Sequence, residues 1–296
     1  MEGERTITAG IDVGSRTTKA VIWDGNSQLG LSLVATGWTP DRSAETAYRQ
    51  ALHEAGLPAV SRVVATGYGR ITVPFADRTV TEITAHARGV GHLLPDTRTT
   101  IDIGGQDSKA IIMENGGLVM DFAMNDRCAA GSGKFLEFLA MTLKLSVDKF
   151  AELAYSSENP FQITSICTVF AETEVLSLLA EGAAREDVAA GVHQSIAHRV
   201  GQLAKSLQPQ PPVAFTGGVA QNRCLVRELS RVLGRDIILP EQPEFTGALG
   251  AAIIGYDELK SVLIFPPHKR VIRRRAVRGN PLFHPQNPRK TRKTRP

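Results

Sequence analysis

The chain has 296 residues, of which 42% are hydrophobic and 22% charged, with three cysteines and a formal net charge of +4. That leaves room for one large core or two moderate ones, and it excludes both a disulfide-stapled scaffold and a chain too polar to fold. No apolar run approaches a membrane span and the opening MEGERTITAG lacks a signal-peptide pattern, so a reducing cytoplasm is the expected compartment.

The charge is unevenly spread. Of the 34 Lys and Arg, 11 fall from Lys269 onward with no acidic residue among them, leaving 23 basic against 30 acidic residues in the body. The body is therefore acidic. The segment 269–296, proline-interrupted and without apolar periodicity, reads as a disordered, solvated tail, and nucleic acid is not an expected partner.

In chain order, the first element with chemistry is IDVGSRTTKA, Ile11 to Ala20. Ninety residues later stands IDIGGQDSKA, Ile101 to Ala110, identical in register at five of ten positions. Each copy lies between apolar runs and reads as strand, tight turn, strand. Turn amides and small polar side chains form anion nests. The first copy offers Gly14, Ser15, Thr17, Thr18 and Lys19 to a phosphate, the second Gly104, Gly105, Gln106 and Ser108. Asp12 and Asp102 would face one cleft and hold a hydrated Mg2+, which prefers oxygen ligands.

Between the copies, TEITAHARG places Glu82 and His86 four residues apart on one helix face. The pair is either exposed on a helix surface or, with Glu82 turned to the cleft, positions Mg2+ or an attacking water. Gln106, beside Asp107, is the better candidate to orient that water.

The stretch NDRCAAGSGKFLEF suggests a phosphate loop, but the position of its first glycine holds Cys128 and that of its hydroxyl holds Phe135. It is not one. Phe135, Leu136, Leu139 and Leu143 follow at helical spacing, and after Cys167 come Val169, Val175, Leu176 and Leu179 on an expected stripe, with Gly182 as a stop. Each cysteine thus stands just before a predicted helix, whose positive end lowers a thiol pKa and favours anions. From spacing alone, Zn and an iron–sulfur cluster are both open. A 4Fe–4S cluster takes four thiolates, so one chain would supply half the set and a two-fold dimer the whole. Cys224, in QNRCLVREL, reads as a small buried hydrophobe. Just before it, PPVAFTGGVAQN reads as a buried strand, a Gly217–Gly218 turn that lets backbone approach a flat ligand, and a helix from Gln221 to Leu233. With Gln221 and Asn222 it suggests an adenosine-binding turn.

Two phosphate hairpins followed by such a turn resemble the actin, sugar-kinase and heat-shock-chaperone ATPase superfamily. More closely, the segments GIDVGSRTTKAV, VATGYGR, TEITAHARG, IDIGGQDSKAI, MNDRCAAGSGKFLE, CTVFAETEVLSLL, FTGGVAQN and TGALGAA resemble one ATPase family. That family includes activators of 2-hydroxyacyl-CoA dehydratases and ATPase subunits of benzoyl-CoA reductase. The resemblance runs from about Thr6 to Tyr256. It implies an α/β fold of two related actin-like (ribonuclease H-like) domains with ATP or ADP between them. The first would be 1–98 with a returning helix 247–260, the second 99–246. It implies Mg2+ and one 4Fe–4S cluster held by Cys128 and Cys167 of both subunits of a homodimer. Gln106, Asp107 and Glu82 would serve hydrolysis. Ferredoxin or flavodoxin would donate the electron, and a dehydratase or benzoyl-CoA reductase-type protein of anaerobic metabolism would accept it. The alternative is an actin-fold small-metabolite kinase without a cluster.

Overall fold

The fold is that of a computed structural model, which describes residues 6–164 and 167–264. The expectations for the tail, 269–296, lie outside the described residues.

The first sheet contains β1 (Thr8–Val13), β2 (Thr17–Trp23), β3 (Gln28–Ala35), β4 (Arg62–Thr66) and β5 (Arg78–Thr79), with α1 (Pro40–Glu54) before β4. Its order is β3-β2-β1-β4-β5: a three-stranded antiparallel meander, then β4 parallel to β1. The helix α2 (Glu82–Leu93) leads into a second sheet of the same plan. There β6 (Thr99–Ile103), β7 (Ser108–Glu114) and β8 (Leu118–Asn125) form the meander. After it come α3 (Gly133–Thr142), α4 (Val147–Tyr155), α5 (Thr168–Ala180) and α6 (Arg185–Lys205). Then β9 (Val213–Thr216) pairs in parallel with β6, α7 (Arg223–Leu233) follows, β10 (Ile237–Ile238) pairs with β9, and α8 (Thr246–Ile264) closes the described chain. The second order, β10-β9-β6-β7-β8, mirrors the first.

The central strands read as continuous apolar and β-branched runs because both their faces are covered; all six residues of β1 are buried. One face of the first sheet packs on α1 through Ala44, Ala47 and Ala51. The other takes α8, where Ala248, Leu249, Ala252 and Ile253 meet Val21 and Trp23, and the Thr8 hydroxyl donates to the Ala252 carbonyl at 2.8 Å. So α8, last in the chain, belongs by its packing to the first sheet. It crosses α2 where Gly250 lies on the Ala85 carbonyl and Gly89 on that of Thr246, contacts that leave no room for a Cβ. This crossing sits at the base of the space between the two sheets.

Phe135, Leu136, Leu139 and Leu143 are all buried in the second core, as their spacing predicts. Two local expectations are corrected. The helix after the Gly-Gly turn starts at Arg223, not Gln221, because a 3-10 turn (Gly218–Gln221) intervenes and the Asn222 side chain accepts from the Leu225 N–H as N-cap. On α5, the buried pair is Ala171 and Val175, while Val169, Phe170 and Leu176 are exposed. That helix is apolar on more than one side, so spacing alone did not pick its inner face. No helix among the described residues is long and apolar enough to cross a membrane.

Candidate functional site

The strand registers set the site. In the first hairpin Asp12 lies opposite Lys19, and in the second Asp102 lies opposite Lys109. Each turn closes with the same backbone bond, Gly14 N–H to Thr17 O at 3.1 Å and Gly104 N–H to Asp107 O at 3.0 Å. Each Asp–Lys pair meets across its strands, Lys19 Nζ to Asp12 Oδ2 at 3.4 Å and Lys109 Nζ to Asp102 Oδ2 at 3.1 Å.

A cavity of about 900 Å³ opens between the two hairpins. Asp12, Gly14, Ser15, Thr17 and Lys19 line it from one side, and Asp102, Gly104, Gly105, Gln106 and Asp107 from the other. Glu82, Gly217, Gly218, Gln221 and Asn222 complete the set that the structure brings together. Thr18 and Ser108 do not reach it. Side chains alternate along a strand, and because Lys19 and Lys109 face the cavity, the residue before each faces away. Thr18 Oγ1 lies 3.0 Å from Thr36 Oγ1, and Ser108 is buried against Gly131.

At the cavity floor, Lys109 is fully buried among three carboxylates, 2.7 Å from Glu82, 2.8 Å from Asp107 and 3.1 Å from Asp102. Burial pulls the pKa of its ammonium down, but the three charges prevail and hold it well above the usual lysine range. For Asp102, burial pushes upward, yet His86, Lys109 and the Thr216 hydroxyl together bring its carboxyl to about 2. Glu82 goes the other way. Burial, helped by the charges of Asp107 and Asp12, raises its pKa against the pull of Lys109. Glu82 and His86 are thus not an exposed helix pair. His86 Nδ1 lies 3.4 Å from Asp102 Oδ1 and 3.3 Å from Thr216 Oγ1. An added Cβ on Gly247 would meet both His86 Nε2 and Asp12 Oδ2, so His86 stands between the two aspartates.

The sequence reading gave no role in the site to Lys109 or His86. For Lys109 the signal was present, since it repeats Lys19 in register. A second repeat was also missed. Thr66–Gly67 at the end of β4 and Thr216–Gly217 at the end of β9 occupy matching places, beside Asp12 and Asp102. Both glycines have positive φ, +90° and +87°, and a Cβ on either would meet the adjacent aspartate at 2.5 or 2.7 Å. Asn222 proves to be committed within the protein. Its Oδ1 caps α7 at 3.0 Å from Leu225 N, and its Nδ2 donates to His193 Nε2 at 3.0 Å. The other ring nitrogen of His193 donates to the Ala189 carbonyl at 2.8 Å, and burial pushes the imidazole down to about 4, so it stays neutral and able to accept. Asn222 shapes the wall, and each of its amide atoms already has one partner within the protein.

Cys128 and Cys167 lie outside the cavity, and both are exposed. Cys167 is the N-cap of α5. Cys128 stands before a one-turn 3-10 helix (Ala129–Gly131), and α3 begins only at Gly133 after Ser132; the expected α-helix start at Cys128 is corrected accordingly. Cys224 is buried and its thiol is pushed up to about 11, mainly by burial. Among the described residues no three His, Cys, Asp or Glu side chains gather to hold a metal.

A model of the BadF/BadG/BcrA/BcrD ATPase family matches residues 9–255. The chain belongs to that family. It is 41% identical over 255 residues to the 2-hydroxyisocaproyl-CoA dehydratase activator of Clostridioides difficile, covering 86% of this chain and 96% of that one. It is 34% identical over 270 residues to a component of the benzoyl-CoA reductase of Thauera aromatica, covering 84% and 93%. Among solved structures, the Clostridium difficile activator of the 2-hydroxyisocaproyl-CoA dehydratase with bound ADPNP superposes with a TM-score of 0.83 at 40% identity, over 89% of this chain and 99% of that one. The fold expected from the sequence, two related actin-like α/β halves, is the fold of this ATPase family member.

Proposed function

We propose that the protein is an ATP-dependent activator that passes a low-potential electron to an acyl-CoA dehydratase or a benzoyl-CoA reductase-type partner. The observation that carries this reading is a separation. A cavity floored by duplicated Asp–Lys hairpins lies in one place, and two exposed thiols lie in another.

In this reading ATP lies between the hairpins, its phosphates on the turn amides of Ser15 to Thr17 and of Gly105 and Gln106, beyond the Gly14 and Gly104 amides that close the turns, and its adenosine against Gly217–Gly218. Gln106 and Asp107 orient the attacking water, and Glu82, a carboxylate with a raised pKa, serves as its proton acceptor. Asp12 and Asp102 are hard oxygen donors suited to Mg2+, and because each already meets a lysine they would hold it through water. The metal would supply charge neutralisation at the phosphates. The bodies that close on the nucleotide are 1–98 with 247–260, and 99–246.

The thiols fit half of a four-thiolate donor set, and a two-fold homodimer would complete it. A 4Fe–4S cluster there would supply one-electron redox chemistry. The chain's own contribution would be Cys128 and Cys167 as ligands and the positive N-terminus of α5 beside an anion. Exposed Val169, Phe170 and Leu176 would exclude water at the subunit contact. Ferredoxin or flavodoxin would be the donor, in a reducing cytoplasm. A small-metabolite kinase would use the same cavity but give the two exposed thiols no task.

The test separates the two places. Asp102→Ala should lower ATP hydrolysis on the order of a hundredfold and leave bound iron unchanged. Cys128→Ser should lose iron and still bind ATP. Loss of both properties in either variant would contradict the reading.

A further inference from the structure

We propose that Arg16 senses the terminal phosphate: at rest its guanidinium is held by Glu137 of α3, and the terminal phosphate of a bound nucleoside triphosphate takes Glu137's place. This rests on the nucleotide reading above and adds to it a residue that tells triphosphate from diphosphate.

Arg16 is the middle of the first hairpin turn, between Ser15 and Thr17, and both it and Glu137 line the cavity. Its Nε lies 2.9 Å from Glu137 Oε1 and its Nη2 2.8 Å from Oε2, a two-pronged contact between segments 121 residues apart. A guanidinium fork accepts a carboxylate or a phosphate in the same geometry, and the phosphate carries more charge. The resting pair is a weak competitor, because the Arg16 and Glu137 side chains are 54% and 32% exposed. The exchange is therefore favourable when a phosphate arrives.

Glu137 is tied to the other hairpin as well. The first amides of α3 donate to that turn, Gly133 N–H to Gly104 O at 2.9 Å and Lys134 N–H to Gly105 O at 2.8 Å. Gly105 in turn lies against Arg16 and Ser15, where a Cβ would meet Ser15 Oγ at 2.9 Å. The two turns, Arg16, Glu137 and the start of α3 thus form one closed ring of contacts. Cys128 lies just upstream of it, its carbonyl held by Asn125 Nδ2 at 2.9 Å. Moving Arg16 from Glu137 to a phosphate opens the ring on the α3 side, so a triphosphate loosens the segment that follows Cys128 and a diphosphate does not.

The full-length protein, purified anaerobically, would be tested as wild type, Glu137→Gln and Arg16→Gln, with a non-hydrolysable ATP analogue and with ADP. Glu137→Gln frees Arg16 and should bind the analogue about two- to fivefold tighter, the worth of an exposed ion pair. Arg16→Gln removes the phosphate contact and should bind it about tenfold weaker or worse. ADP affinity should stay within about twofold in both. Hydrogen exchange in the peptide 129–137 should be slow in nucleotide-free wild type, faster with the analogue, unmoved by ADP, and already fast in nucleotide-free Glu137→Gln. An ordinary structural ion pair would shift both variants in the same direction; that result, or exchange that ignores the analogue, would overturn the proposal while leaving nucleotide binding intact. Wild type that binds neither nucleotide would sink the nucleotide reading and this inference together.

Discussion

At Glu82 burial and Lys109 act in opposite directions on one carboxyl, and burial together with the charges of Asp107 and Asp12 leaves the pKa raised. A group whose folded pKa is raised contributes stability that is full below its unfolded value and is lost as pH rises through the raised one. Wild type should therefore lose ground to Glu82→Gln as pH rises above the ordinary carboxylate range, measured as the difference between their urea midpoints. A difference that grows in wild type's favour with pH would contradict the assignment. Asp102 has the reverse sign. Held at about 2, its contribution is present above the ordinary carboxylate range and is lost as pH falls through that value. Lys109 holds both in place. Replacing it by Met would leave the buried Asp102 and the half-buried Glu82 and Asp107 facing one another without that ammonium, and urea unfolding should show a loss of about 3–5 kcal/mol.

Among the elements, the hairpins were the most legible, because one pattern of strand, glycine turn and strand occurs twice and the residues that matter sit at fixed offsets within it. Period-two alternation also decides the misreadings. Once Lys19 and Lys109 face the cavity, Thr18 and Ser108 cannot, because beyond the turns only alternate strand residues point to that side. Contacts between distant segments were not legible at all: the place of His86 between two aspartates, the tie of Asn222 to His193, and the Arg16–Glu137 pair. In α5 the apolar residues outnumber the positions that one chain buries, so its inner face depends on neighbours that sequence spacing does not name. The Gly217–Gly218 turn separates fold from function. At Gly217, positive φ and contacts with Ile103 O and Asp102 Oδ1 at 2.5 and 2.7 Å exclude a Cβ, whereas nothing lies within 4 Å of one at Gly218. Gly217→Ala should thus cost on the order of 1–3 kcal/mol of stability. Gly218→Ala should melt like wild type yet bind nucleotide more weakly, if that turn meets the adenosine. A Gly218→Ala protein with unchanged affinity would place the adenosine elsewhere.

Over the whole molecule, two matching sheets meet at the glycine crossing of α2 and α8, and the cavity opens above it. The arrangement suits closure of one half on the other about a fixed base. The chain's basic residues after Lys269 stand apart from an acidic body. Ending the chain after Pro267 should leave folding, ATPase activity and iron content nearly unchanged and lower only retention on polyanions. A truncated protein that precipitates would contradict a solvated tail. Neither cavity nor tail bears on the proposed electron transfer as directly as the cysteines. The decisive measurement is iron and sulfide per chain, with mass by sedimentation, on anaerobically purified wild type, Cys128→Ser, Cys167→Ser and Cys224→Ser. A cluster shared across the two-fold axis predicts about four irons per pair of chains in wild type and in Cys224→Ser. In either of the other two variants it predicts loss of the cluster and a weaker dimer, because symmetry removes two of four ligands at once. A Cys128→Ser dimer that keeps its full iron, or a wild type that hydrolyses ATP with no iron at all, would contradict the account.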